Sequence, residues 1–388
     1  MDDGAGGTSG SLRLIRGAAF CSAFDRMSIA PMLVAISEDL EVSLARVTLA
    51  ATAYFLLYGA MQPVWGMLSD RLGRVNVIRL TLAGAAAASV LSALAPTIGV
   101  LLVARACAGA LFAGVIPTTL VYVGDTVPMG RRQIAMTELM GATSAGIAVS
   151  TVAAGIAVVL ADWRVVFAWS AIAACALAVA MRSVPEPDVP RVPSALGAVV
   201  AVLRRPWPLT VVLLALVEGT LVLGIITFMA PALEEAGLSP AIAGGIMGVY
   251  GAAIILWTRV VRHVARRAAP ARLIAIGTTL IVLGYLAAAA DPDLGGIGAA
   301  ALLVAGGFAF VHSTLQTWAT EVAPDLRATA VSLFAAALFT GGAVGTAVVG
   351  PLADGGEFAA VFLIGVAVAF VLGTAAAVAR SRWAAQPV

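Results

Sequence analysis

Gly66-Met67-Leu68-Ser69-Asp70-Arg71-Leu72-Gly73-Arg74 is a short polar joint between two apolar runs, residues 47–68 and 77–95. One acid and two arginines so close together do not belong in the middle of a membrane-spanning run, and the two glycines let the chain reverse tightly between closely packed helix ends. Read outward from this joint, apolar runs bounded by charge or by Pro and Gly lie near 17–36, 47–68, 77–95, 98–123, 135–160 and 165–182. Six more follow near 208–230, 242–262, 273–290, 297–320, 328–350 and 358–379.

Composition requires the same reading. Of 388 residues, 61% are hydrophobic and 11% charged, with a mean hydropathy of +1.02; an ordinary soluble domain has about 45–50% and about 25%. No water-facing shell can be built from that balance, so the bilayer is the solvent. At about 20 residues per spanning helix there is room for about twelve crossings. The alternating pattern of a β-barrel is absent, which leaves helices. Cys21, Cys107 and Cys175 all fall in apolar runs and are expected to be core thiols, in neither a disulfide framework nor a metal cluster. Residues 1–12 have no basic segment followed by a cleavage site, so the first run is expected to be a retained helix.

The net charge is only +2, yet all 23 basic residues are arginine. Nineteen of them sort to one side of the twelve runs: Arg13, Arg16, Arg71, Arg74, Arg79, Arg131, Arg132, Arg182, Arg191, Arg204, Arg205, Arg259, Arg262, Arg266, Arg267, Arg272, Arg327, Arg380 and Arg382. Arg46 and Arg164 sort to the other. The asymmetry predicts that both termini are in the cytoplasm, and the richness in alanine and glycine fits a GC-biased bacterial genome, so a bacterial cytoplasmic membrane is the expected location.

A Pro-rich stretch, residues 183–207, divides the chain into residues 1–182 and 208–388, six runs each, and reads as a cytoplasmic linker carrying a short surface helix. The halves repeat one another. Asp125-Thr126-Val127-Pro128-Met129-Gly130-Arg131 recurs as Glu321-Val322-Ala323-Pro324-Asp325-Leu326-Arg327, at an offset of 196 residues. Tyr58-Gly59-Ala60 is echoed by Tyr250-Gly251-Ala252. Two homologous bundles suit alternating access about one central site.

With its form G-x-x-x-D-R-x-G-R, the joint at Gly66, Asp70, Arg71, Gly73 and Arg74 resembles the signature loop of the major facilitator superfamily. The resemblance implies an all-α membrane fold of twelve helices in two pseudo-symmetric six-helix bundles. In that setting the loop is a gating element: Asp70 can sit against the N-terminus of helix 11, while Arg71 and Arg74 pair with carboxylates or lipid phosphate. The counterpart after helix 8, Arg259 to Arg272, keeps the charge and loses the acid and the glycines. Arg105, in Leu101-Leu102-Val103-Ala104-Arg105-Ala106-Cys107-Ala108-Gly109, resembles the buried arginine of the family's second motif. Asp25 resembles the membrane-embedded acid of helix 1 in twelve-helix drug/proton antiporters. Those antiporters carry a Gly-Pro pair in helix 5, where this chain has Ser150-Thr151 followed by Gly155.

Several polar side chains lie deep in apolar runs, where a charge costs about 2.5–3.5 kcal/mol on insertion scales and so needs a partner or a function. Asp25 and Arg26 are adjacent in helix 1 and point about 100° apart, so one is expected to face the cavity and the other a neighbouring helix. Glu218 stands alone in helix 7 and is expected to hold a proton or to balance a cationic substrate. His312 in helix 10 can relay protons or bind substrate. Asp25, Glu218 and Arg105 are thus the expected proton-coupling set. Arg26, Tyr54, Tyr58, Phe112, Phe228, Tyr250, Trp257, His312 and Gln316 are the expected substrate-facing set; Gln62 has the same spacing. Glu138 is expected to join the cytoplasmic charge cluster.

No Walker, zinc-helix, nucleophile-elbow or dinucleotide sequence occurs, so no enzyme chemistry is expected. The expected protein is a secondary transporter, acting as a monomer among membrane lipids on a small-molecule substrate. Its leading mechanism is proton-coupled efflux of a lipophilic or cationic organic compound, with the proton as coupling ion, no cofactor, no metal and no nucleic acid. Metabolite uptake or facilitated exchange, movement of a lipid-like solute, and a non-transporting sensor of the same fold are the alternatives.

Overall fold

A computed structural model describes residues 3–188 and 196–384 of the chain. The central part of the linker, with Arg191, lies outside the described residues. Among those described, every regular element is helical. Eleven helices are long and apolar enough to cross a membrane, and a bent pair makes a twelfth. The spans are α1 (Gly10–Met27 with Ala30–Asp39), α2 (Leu44–Leu72), α3 (Arg74–Ala93), α4 (Ile98–Thr126), α5 (Met129–Leu160) and α6 (Arg164–Ser183). The second set is α7 (Pro206–Glu235), α8 (Pro240–Val264), α9 (Pro270–Ala290), α10 (Leu294–Glu321), α11 (Pro324–Asp354) and α12 (Phe358–Trp383).

Two sequence expectations need correction here. The first run is longer than 17–36 and is not straight: its two pieces meet at 40°. Pro31 is the cause, because it has no N–H for the carbonyl one turn back and its ring crowds that turn. Of the two signature-loop glycines, only Gly73 does conformational work, at φ +99°. Gly66 lies inside the continuous α2, and a Cβ there would meet nothing.

The repeat read from the loops extends to the helix starts. Ser43 caps α2 by accepting from Arg46 N at 3.3 Å, and Ser239 caps α8 by accepting from Ile242 N at 3.4 Å. Thr97 and Asp293 do the same for α4 and α10. Within each pair the two caps are 196 residues apart. Packing repeats as well: α2 lies on α4 and α3 on α6 in one bundle, as α8 lies on α10 and α9 on α12 in the other. Buried apolar side chains form two large cores. One runs from Ile15 to Val184 and takes in Phe339 and Ala343 of α11; the other runs from Val211 to Ala376.

The bundles meet along two helix pairs, α2 with α11 and α5 with α8. Both seams are lined with small residues, which lets backbones touch. Gly155 of α5 lies on Pro240, Gly244 on Thr151 and Gly251 on Ala148, while Gly59 of α2 lies on Ala336 of α11. Thr52 and Thr346 hydroxyls share a hydrogen bond of 2.7 Å, and Ala45 N donates to Asp354 Oδ1 at 3.1 Å. These contacts run from mid-bundle to the end that carries the α1–α2 and α7–α8 turns. The opposite end, with the α2–α3 and α8–α9 turns, carries the arginines and is called the basic end below. There Asp70 pairs with Arg74 of its own bundle and does not meet the N-terminus of α11 as the signature implied. The bundles are therefore joined at the end away from the arginines.

Linker residues tie to both bundles. Glu186 accepts from the main-chain N–H groups of Arg74, Val75 (2.9 Å) and Asn76 (3.2 Å), capping α3. The short helix Leu196–Leu203 packs on α7 and α11, and Arg205 grips Asp325 through two bonds of 2.6 and 2.7 Å.

Candidate functional site

The two deep acids each sit at a break in a spanning helix. Asp25 is two residues before the end of the first piece of α1. Glu218 immediately precedes a stretch where α7 unwinds into a π turn (Thr220–Gly224) and then a 3-10 turn (Ile225–Phe228). Such interruptions free backbone groups inside a membrane bundle and recur at functional sites. Beside Asp25 the freed carbonyl is satisfied: Asp25 O accepts from Ser28 Oγ at 3.0 Å and from Arg105 Nη2 at 3.3 Å.

Asp25 and Arg105 form a closed pair. Arg105 Nη2 donates to Asp25 Oδ2 at 2.7 Å and Nη1 to Oδ1 at 3.2 Å, with both side chains fully buried. Ser89 Oγ adds a third donor at 3.4 Å. The guanidinium is held 4.6 Å from the ring centres of Tyr54 and Phe167, in contact with two aromatic faces. Asp25 is therefore not a free acid facing a cavity, and its partner comes from α4. Tyr54 belongs to the shell of this pair. Phe112 and Phe228 are fully buried, each in the core of its own bundle.

Arg26 points the other way. It is 7% exposed, donates from Nη1 to Tyr58 Oη at 3.2 Å, and lies 5.4 Å from the Tyr58 ring and 5.2 Å from the Phe339 ring of the opposite bundle. Its Nε is buried without a partner, and among the described residues no carboxylate stands within 4.0 Å of it. Arg26 is thus a near-buried cation at the junction of α1, α2 and α11, with only aromatic and hydroxyl company.

Across the junction, Glu218 is fully buried and His312 Nδ1 lies 3.3 Å from its Oε1, yet both carboxylate oxygens and Nδ1 are without an aligned hydrogen bond. His312 stacks on Phe308 at 4.7 Å and lies 5.5 Å from the centre of Phe334. Tyr250 is buried in the core of the second bundle. Trp257 is directed elsewhere: its Nε1 donates to Leu302 O at 3.0 Å and its ring packs on Phe310 and Gly306. Gln316 is exposed. Gln62 is buried, while Glu138 pairs with Arg16 at 2.9 Å toward the basic end.

The signature loop is a charge network. Arg74 holds Asp70 and reaches Asp125 of the α4 end at 3.2 Å. The residues of this loop are legible in the sequence, whereas Glu186, between Pro185 and Pro187 in the linker, carries no signal there of its part in capping α3. The expected core thiols also divide: Cys21 is buried, whereas Cys107 and Cys175 are exposed on the outer surface.

The profile of the Major Facilitator Superfamily matches residues 17–346. The chain belongs to that superfamily. A triacylglyceride transporter of Mycobacteroides abscessus is 29% identical over 71% of this chain and 53% of its own length. The multidrug efflux pump LfrA of Mycolicibacterium smegmatis is 30% identical over 37% of this chain and 29% of its own. The chain thus spans about half or less of these relatives' length. Among solved structures, a bacterial homologue of the human lysosomal transporter Spinster, inward-facing and unoccupied, superposes with a TM-score of 0.78 at 18% identity over 96% of this chain and 97% of that one. The nucleoside transporter NupG gives 0.79 at 14% identity over 95% and 98%. The superfamily chain is a multi-pass, all-α membrane protein.

Proposed function

We propose that this superfamily chain is a proton-coupled exporter of lipophilic small molecules in a bacterial cytoplasmic membrane, with its basic end in the cytoplasm. One observation carries the proposal: the fully buried Glu218, at the interrupted part of α7, lies 3.3 Å from Nδ1 of the part-buried His312, and neither carboxylate oxygen nor that Nδ1 has an aligned hydrogen bond. A carboxyl and an imidazole so placed can share one proton and lose it when the surrounding helices move, which is what coupling needs. Asp25 and Arg105 already satisfy one another, so their part is to hold the break in α1 and to respond when α1 moves. The single buried cation at the junction, Arg26, disfavours a permanently cationic substrate and suits a neutral or acidic one.

The test is efflux from proteoliposomes under an imposed pH gradient, using a panel of neutral, acidic and cationic lipophiles. Glu218→Gln is expected to lose uphill movement and keep downhill flux, with the pH dependence between about 5 and 9 flattened. A variant identical to the parent for all substrates and pH values would refute the coupling role. Movement of a lipid-like solute is the second reading, favoured by the M. abscessus relative's name and its coverage of this chain. Transfer of a labelled glyceride between leaflets would distinguish it, and a protein inert in both assays would point to a sensor.

A further inference from the structure

The outer surface of the first bundle holds a groove between the start of α3 and the end of α6, about 420 Å³ in volume. Its floor and walls include Asn76, Arg79, Leu80, Cys175, Val179 and Arg182. Leu80 is 52% exposed and Val179 54% exposed, so this face looks out to lipid and not toward the other bundle. Arg79 lies in the second turn of α3 and Arg182 in the last turn of α6, both at the basic end where headgroups begin.

Both arginines lack an acid. Among the described residues no carboxylate stands within 4.0 Å of either, and Arg79 Nε is buried with no hydrogen-bond partner. Glu186, just beyond α6, is occupied by the three main-chain N–H groups of the α3 cap. Two guanidiniums thus line one groove with no acid beside either, and Arg79 Nε has no hydrogen-bond partner. An anion bound between them would relieve both defects. From that polar end, the apolar walls run along α3 and α6 toward the bilayer centre, the direction an acyl chain takes from a headgroup. A groove basic at headgroup depth and apolar below it is complementary to an anionic amphiphile.

We propose that the α3–α6 groove is a binding site for an anionic phospholipid, whose phosphate is held by Arg79 and Arg182 and whose acyl chain lies along Leu80 and Val179. The site is separate from the junction at Arg26 and does not depend on what the protein transports. It sits on the helix that begins at Arg74 of the signature loop.

The experiment measures lipids retained by the detergent-purified full chain, by native mass spectrometry, after exposure to equimolar phosphatidylglycerol and phosphatidylcholine of matched chains. Wild type is expected to retain phosphatidylglycerol preferentially. Arg79→Gln with Arg182→Gln is expected to reduce that preference about 25-fold, at about a factor of five per arginine near a headgroup surface. Arg131→Gln, which removes a loop charge outside the groove, is expected to leave it unchanged. Cys175, exposed in the groove, gives a second reading in a Cys107→Ser background. Bound phosphatidylglycerol should slow its alkylation by a soluble maleimide, and phosphatidylcholine should not. Equal retention of the two lipids by wild type would overturn the proposal, as would unchanged preference in the double variant. Protection of Cys175 by inorganic phosphate as strong as that by phosphatidylglycerol would overturn it too, in favour of a free-anion site. Because the wild-type comparisons need no substitution, they decide the matter even if the double variant fails to fold.

Discussion

At the scale of single residues, the neighbours Asp25 and Arg26 behave in opposite ways because of what each meets. Asp25 has a bidentate guanidinium, a serine and no solvent, so removing its charge leaves Arg105 buried and uncompensated. Asp25→Asn is expected to lower stability by about 3–5 kcal/mol, read as a fall in the thermal unfolding midpoint in detergent. Asp25→Asn combined with Arg105→Gln should recover part of that loss, because neither charge is then stranded. Arg26 has no acid to strand. Arg26→Met is expected not to lower the unfolding midpoint while it alters transport, and a midpoint that drops as far as that of Asp25→Asn would mean Arg26 is a structural residue. The sequence supplied the 100° divergence of the two side chains and the depth of both. It could not supply the partner, since Arg105 is 80 residues away and only the fold brings α4 against the break.

At the scale of elements, the seams between bundles depend on how closely backbones approach. A Cβ on Gly244 would fall on the carbonyl of Thr151, and one on Gly251 would come within 2.9 Å of the Ala148 backbone. Gly244→Val is therefore expected to wedge α5 from α8 at the end away from the arginines and to favour the form open at that end. Spin labels at Leu160 and Glu235 should report a longer distance in this variant; an unchanged distance distribution would mean the seam yields without opening. Much of this was legible beforehand. The Tyr-Gly-Ala echo marks the same role twice, since Gly59 meets α11 and Gly251 meets α5, each across the junction. The 196-residue offset seen in the loops also orders the helix caps. The helix breaks were not legible in the same way. Pro31 signals the first, but the unwinding of α7 lies in Thr220-Leu221-Val222-Leu223-Gly224, an ordinary apolar run whose backbone is set by the tertiary contacts of Gly219 and Gly224 with α11. Nor does periodicity reveal the exposure of Cys107 and Cys175, because in lipid an outward apolar face resembles a core face.

At the scale of the whole molecule, the two ends of the α2–α11 pair carry the same device in opposite senses. The signature implies that Asp70, at the end of α2, can sit against the N-terminus of α11. In the form described here Asp354, the last residue of α11, meets the N-terminus of α2 through Ala45 N at 3.1 Å. In each case a carboxylate at one helix's C-terminus faces the positive N-terminus of its partner, and the antiparallel packing of two pseudo-symmetric bundles makes the arrangement available at both ends. In the form described here the Asp354 contact is made, while Asp70 is held by Arg74 of its own bundle. Removing either acid should bias one equilibrium in opposite directions. Asp354→Ala is expected to populate the form shut at the basic end, by a factor of about 2–10 for one partly exposed hydrogen bond of about 0.5–1.5 kcal/mol. Asp70→Asn is expected to shift the population the other way and to slow transport while leaving substrate affinity in detergent unchanged. The double variant should return toward the wild-type distribution. Distance distributions between labels at the basic end, at Leu72 and Arg327, together with the Leu160 and Glu235 pair, would measure all three variants. Shifts of the same sign for the two single variants would show that the acids do not act on one rocking equilibrium, and the pairing of the two ends would have to be abandoned.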